Sequence, residues 1–171
     1  ATTYIYTLSL HDALPISSNG ANNLLASPIS ITSAGNLTVS GAISDNGGAS
    51  ATVGNRSGGN AGTVTLGWAS GAASLSTITA NGGNGAGTLA GGAGGAIALN
   101  DNSTTTPAAL GAISSTGGTT GTGTGGAGGA VQILATADTG TLTLPAITTT
   151  GGNATTGGAG GNITIESNGQ T

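Results

Sequence analysis

Of 171 residues, 36 are Gly; charged residues make up 4% and aromatics 2%, and Cys, Met and Phe are absent. An ordinary domain carries about 25% charged residues, so a conventional core of large interlocking side chains is excluded, and Val, Ile and Leu can close only a narrow, regular one. With net charge −4 and Arg56 as the one Lys or Arg, the chain lacks what nucleic acid and anionic membranes require; zero Cys excludes disulfides and thiolate metal sites, and no apolar run reaches the roughly 18 residues of a membrane-spanning helix.

In chain order, the first segment, ATTYIYTLSLHDALPIS, stands apart. It holds the only His (His11), both Tyr (Tyr4 and Tyr6) and no Gly. TLSLHDALPI, residues 7–16, resembles one reading frame of a common short-read sequencing adapter translated as though it were a gene. The likeness extends back through Ile5, Tyr6 and residues 1–3; Tyr4 departs from it, where the frame would give Glu. Such segments are set aside before fold reasoning. Residues 1–17 are therefore expected not to fold, residues 18–28 to be a lead-in, and residues 29–171 to be the folded part, a fragment of a longer reading frame.

After residue 29 two units recur. The first follows a Gly-rich stretch: AGTVTL (61–66), GGAIAL (94–99), GGAVQI (128–133) and GGNITI (160–165). Its leading apolar positions, Val64, Ile97, Val131 and Ile163, are spaced 33, 34 and 32, followed two residues later by Leu66, Leu99, Ile133 and Ile165. An earlier copy, GNLTV, puts Leu37 in the Val64 role. The second unit is an Ile followed four residues later by Gly-Gly: AISDNGG, TITANGG, AISSTGG and AITTTGG, with Ile43, Ile78, Ile113 and Ile147 spaced 35, 35 and 34. Two anchors sharing one period mark a repeat array.

Each anchor alternates apolar and polar, as in Val64-Thr65-Leu66, which is the period of a strand with one face buried. Val, Ile and Thr suit strands. The pairs Gly47-Gly48, Gly82-Gly83, Gly117-Gly118 and Gly151-Gly152 read as corners, where Gly supplies positive φ. Short strands at a fixed period predict an all-β stack, a parallel β-helix (β-solenoid) with repeats of about 34 residues and Gly-rich loops, wound right-handed as crossovers usually are. A 34-residue unit can be one wide turn with a Gly-rich loop or two narrow turns. The consistent difference between the two anchors favours one turn, with Leu75, Leu110 and Leu144 as a further inward row.

The segments GNLTVSGAIS, GGAGGAIAL, LGAISSTGG and GGAGGNITI resemble the repetitive passenger region of large bacterial surface proteins, filamentous-haemagglutinin-like adhesins and autotransporter passengers. The resemblance covers residues 29–171. It implies a stalk or adhesive fibre, secreted or on the cell surface, that meets a host-surface or extracellular glycan or protein. It carries no catalytic residue. A weaker resemblance is to mycobacterial surface proteins built on GGA and GGN triplets; here the triplets come only in short bursts between strand units, which favours strands over glycine helices.

Candidate chemistry is sparse. Asp45, Asp101, Asp138 and Glu166 occur one per repeat at different phases and read as solvated turn or strand-end residues, not as an acid/base pair. The set-aside His11 leaves no centre for a Ser-His-Asp triad. The Gly run 123–129 lacks the Lys of a phosphate loop. The Gly-rich loops carry Asn or Thr where a solenoid calcium site needs Asp. Asn-x-Ser/Thr triplets at Asn36, Asn55, Asn102, Asn153 and Asn162 follow from composition. No enzyme activity, cofactor or metal is expected. Thr65, Thr164, Thr104, Thr105, Thr106, Thr148, Thr149 and Thr150 are candidates for a flat polar face toward ice or glycan, and Trp68 for a coil-edge cover or sugar platform. A third reading is a non-catalytic spacer in a polysaccharide-acting enzyme.

Overall fold

A computed structural model describes residues 15–50, 56–104, 108–135 and 142–167. The chain enters through strand β1 (Ile16–Ser17). A first turn carries β2 (Ile29–Ser33), β3 (Leu37–Val39) and β4 (Ile43–Ser44), and a second β5 (Val64–Trp68), β6 (Ala73–Leu75) and β7 (Ile78–Thr79). A third carries β8 (Ile97–Asp101), β9 (Ala109–Leu110) and β10 (Ile113–Ser114). The fourth carries β11 (Val131–Ala135) and β12 (Ile147–Thr148), and β13 (Ile163–Ser167) follows. No described element is a helix.

Equivalent strands stack in three parallel sheets: β2-β5-β8-β11-β13, β1-β4-β7-β10-β12 and β3-β6-β9. The fold is a parallel β-solenoid. Ile43 pairs with Ile78 and Ile78 with Ile113, never with the Val64 type. One repeat of about 34 residues is therefore one turn, and the alternative of two narrow turns falls.

The alternation read from sequence sets the interior. In β5, Val64, Leu66 and Trp68 are buried while Thr65 and Gly67 are partly exposed; β8 repeats this with Ile97, Leu99 and Asp101. Ile43, Ile78 and Ile113 form a second inward column, at 0%, 0% and 1% exposure. Burying such a side chain is worth about 1.5–3 kcal/mol relative to leaving it exposed, and each turn supplies several. Ile163 and Ile165 belong to the first column by register, yet are 47% and 41% exposed. Among the described residues β13 has a stacked partner on one side only; Ile147, in the last described strand of its sheet, is likewise only partly buried.

Four expectations need correction. Leu37 is buried but belongs to β3, opposite Ala73; the residues in the Val64 and Leu66 columns are Ile29 and Ile31. Leu75 and Leu110 pair as expected, but Leu144 is 44% exposed and joins no strand. The reason is local: Gly111 donates its N–H to the Leu75 carbonyl at 2.8 Å, whereas Pro145, one period on, has no N–H with which to continue that ladder. Ile16 and Ser17, which the sequence assigns to the unfolded segment, pair in register with Ile43 and Ser44. Residues 18–26 then follow the turn above, through Gly20 N–H to the Asn46 carbonyl and Ala26 N–H to the Asn60 carbonyl. Residues 1–14 lie outside the described residues.

The fourth correction concerns glycine. Among the described residues, positive φ occurs at Gly71, Gly87 and Asn23, and at none of the eight corner glycines. Space makes those glycines necessary. After β4 the chain runs outward through Gly47-Gly48 and returns through Gly58-Gly59; a Cβ on Gly47 would overlap the Gly59 carbonyl of the returning arm, and one on Gly83 the Gly48 carbonyl of the turn below. The same overlaps recur for Gly82 with Gly92, Gly117 with Gly126 and Gly151 with Gly158. The absent side chains let backbone meet backbone. The N–H of Gly59 reaches the Gly48 carbonyl at 2.8 Å, Gly83 reaches Gly59 at 2.9 Å, Gly92 reaches Gly83 at 2.8 Å and Gly118 reaches Gly92 at 2.8 Å. The zigzag continues through Gly126 and Gly152 to Gly158. On the returning arm Gly59 and Gly62, Gly92 and Gly95, and Gly126 and Gly129 are buried at intervals of three. The Gly-rich stretches expected as loops are thus a hydrogen-bonded spine along the stack.

Candidate functional surface

The polar side chains gather on the outside of the β1-β4-β7-β10-β12 sheet. Next to each anchor Ile stands Ser17, Ser44, Thr79, Ser114 or Thr148, one register row across five strands. Two residues further on stand Asn19, Asn46, Asn81, Thr116 and Thr150, where the chain leaves the strand. Here side chains take the place of backbone acceptors. Asn19 Oδ1 accepts the Asn46 N–H, Asn46 Oδ1 the Asn81 N–H and Asn81 Oδ1 the Thr116 N–H, each at 2.8 Å. Hydroxyls join the row: Ser44 donates to Asn19 Oδ1 at 2.9 Å, and Ser114 and Thr116 to Asn81 Oδ1 at 2.9 and 3.0 Å. Further along the outgoing arm, Asn84 Oδ1 takes the Thr119 N–H at 2.9 Å.

This face is not the one assembled from Thr alone. Thr65 and Thr164 share a row on another sheet, but Ala98 and Gln132 stand between them. Thr148 and Thr150 do belong to the polar face, while Thr149 points inward, with its hydroxyl on the Gly161 carbonyl at 2.9 Å. Thr104 is exposed, and Thr105 and Thr106 lie outside the described residues. The signal for this polar row is a column mixing Ser, Thr and Asn, visible only once the AISDN, TITAN, AISST and AITTT units are laid over one another.

The acids also depart from the sequence reading. Asp45 is fully buried and Asp101 is 2% exposed, so neither is a solvated turn residue. Period two foretold this: Ile43 faces in, Ser44 out and Asp45 in, and β8 places Asp101 inward after Ile97 and Leu99. Asp101 stacks on Trp68 and accepts the Ser103 N–H at 2.8 Å on Oδ1. Among the described residues, Asp45 has no hydrogen-bond partner at either carboxylate oxygen. Burial pushes its carboxyl up from 3.8 to about 7, against a smaller downward pull from the Gly62 N–H, which lies near without reaching hydrogen-bond geometry. The two buried acids sit on different sheets and different turns. Glu166 is exposed, and Asp138 lies outside the described residues.

Trp68, expected at a coil edge, is 2% exposed within the core and offers no platform for a sugar ring. In the Gly run 123–129, four N–H groups are taken up by the stack: those of Gly125, Gly126, Gly128 and Gly129 reach the carbonyls of Thr156, Gly118, Ala159 and Ser115. Among the described residues no three His, Cys, Asp or Glu side chains cluster as metal ligands. No family model, curated protein or solved structure matches the chain.

Proposed function

We propose that the chain is a structural segment, a stalk or adhesive fibre, of a secreted or cell-surface bacterial protein. The observation that carries this reading is the continuity of the rows. The anchor columns and the glycine spine pass through successive turns at a parallel-strand spacing of about 4.8 Å, an arrangement that lengthens by adding turns and repeats any surface contact at each one. Weak contacts repeated on a fibre gain avidity, and a glycan or protein of a host or extracellular surface is the partner class that fits. The resemblance to adhesin passengers points the same way. Immunogold labelling of the source cells with antibody against the purified chain tests the location: gold on the envelope or in the medium is expected, and gold confined to the cytoplasm overturns it.

A second reading has one observation in its favour, the aligned Ser/Thr and Asn/Thr rows beside Ile43, Ile78, Ile113 and Ile147. Such a face can meet a repeating polar surface, a glycan or ice. Retention on immobilised polysaccharide, or shaping of a growing ice crystal, that disappears on Ser114→Tyr would support it. Retention and crystal habit indifferent to that substitution would remove this face from consideration.

A further inference from the structure

Asp45 belongs to an inward row that the ladder bonds define as Ser18, Asp45, Ala80, Ser115 and Thr149. The row lies between the anchor-Ile sheet and the glycines of the returning arm. Where it carries a hydroxyl on a later turn, that hydroxyl donates to a returning-arm carbonyl: Ser115 to Gly95, and Thr149 to Gly161. The slot therefore accepts a donor. A carboxylate cannot donate, whereas a carboxylic acid can. Asp45 is fully buried there, and its oxygens lie where a Cβ on Gly62 would be. The elements against it, residues 16–18, 78–80 and 58–62, bring Ser17, Ser18, Thr79 and Asn60, and no ionisable side chain to compensate a negative charge.

We propose that Asp45 is a proton-dependent catch: held as the neutral acid, it closes the seam between its strand and the Gly62 arm, and ionisation opens that seam. A buried charge without a partner is strongly unfavourable, so the ionised group is relieved by local separation of the arm. The upward shift of the Asp45 carboxyl to about 7 agrees with this. The folded state then holds a proton that the unfolded chain gives up near 3.8, so stability falls as pH rises from about 4 to about 7 and levels above that. On an envelope protein, such a catch would stiffen the first turn in acidic surroundings and loosen it at neutral and alkaline pH; this role rests on the proposed location, while the catch itself does not.

The test uses the full 171-residue chain and its Asp45→Asn variant, in which the amide donates at every pH. Asp45→Ser, which copies the hydroxyl that Ser115 brings to the same row, stands in should the Asn variant not fold. Denaturation midpoints are followed from about pH 4.5 to about pH 8.5, spanning the shifted carboxyl, with hydrogen exchange read over residues 43–48 and 58–62. The parent is expected to lose midpoint across this range while the variant changes much less, and protection in those two segments, taken relative to the base-catalysed intrinsic exchange rate at each pH, is expected to fall at about pH 8 in the parent alone. Every other acid is common to both proteins and cancels in the difference. Parallel pH profiles for parent and variant, or a carbon-detected titration of Asp45 near its ordinary 3.8, would overturn the proposal. Gold labelling in the cytoplasm alongside divergent profiles would sink the envelope reading and leave the catch standing.

Discussion

Replacing Gly118 with Ala separates two explanations of the corner glycines. Gly118 does not have positive φ, so the Ala backbone is allowed there and no conformational penalty is expected. Its Cβ, however, would overlap the Gly83 carbonyl carbon and oxygen and crowd the Gly82 carbonyl, all backbone atoms with no rotamer to relieve them. Moving Gly118 away pulls at two bonds of the spine, its N–H to Gly92 at 2.8 Å and its carbonyl to the Gly126 N–H at 2.9 Å. Each bond broken with a buried group left unpaired costs about 1–3 kcal/mol, and overpacking about 1–3 kcal/mol more. Ala recovers about 0.4–1 kcal/mol by restricting the unfolded chain. The net expectation is a loss of about 2–8 kcal/mol, a large part of the roughly 5–15 kcal/mol that holds a typical domain together. Gly157 is the control: nothing lies within 4 Å of its Cβ position and its φ is not positive, so Gly157→Ala should shift stability by under about 0.5 kcal/mol. Urea denaturation of the three proteins, followed by circular dichroism, gives the comparison. A Gly118→Ala chain within about 1 kcal/mol of the parent, or a Gly157→Ala chain as weakened as Gly118→Ala, refutes the spine.

Ile113→Asp, at 1% exposure between Ile78 and Ile147, loses its apolar burial and gains an uncompensated charge; about 3 kcal/mol or more of destabilisation is expected, and an unchanged melting curve would mean the residue does not face inward. Asn81→Ala removes an acceptor that takes one N–H and two hydroxyls; because the site is part-buried and water can substitute, the loss should be about 1 kcal/mol, with faster exchange of the Thr116 amide. The fluorescence of Trp68, the chain's one Trp, should be blue-shifted and poorly quenched by acrylamide, and adding glycans should leave it unchanged. Solvent-like emission from the folded chain would contradict its burial.

Much of this fold can be read from two spacings. Val64, Ile97 and Val131 announce one column and Ile43, Ile78 and Ile113 another, because a stack that buries one residue per turn must repeat that residue at the turn length. Pattern fails where one residue type satisfies two environments. Leu37 sits in GNLTV, which matches the period-two anchor as well as ISIT does at residues 29–32; only the pairing with Val64 decides between them, and that pairing spans a whole turn. Pro145 appears innocuous until it is aligned with Gly111, whose N–H it lacks.

Glycine is the harder case. A Gly-Gly pair can supply positive φ or room for another backbone, and the two demands write the same letters. Gly87 and Gly118 illustrate the difference: the first has φ +59 and open space around its Cβ position, the second an ordinary φ and no space at all. Local sequence cannot tell them apart, because the atom that excludes a Cβ at Gly118 belongs to Gly83, one full turn away. The period does carry a usable trace. The spine glycines recur in phase with the anchors, at 48, 83, 118 and 152 and again at 59, 92, 126 and 158, whereas a glycine needed only for its own turn has no reason to keep that register. Asp45 follows the same logic. Taken alone, Asp-Asn-Gly is a turn; counted from Ile43 and laid over Ser115 and Thr149, it is a buried donor slot occupied by an acid. In a stack of this kind, a residue's environment is set less by its neighbours in sequence than by its phase within the turn.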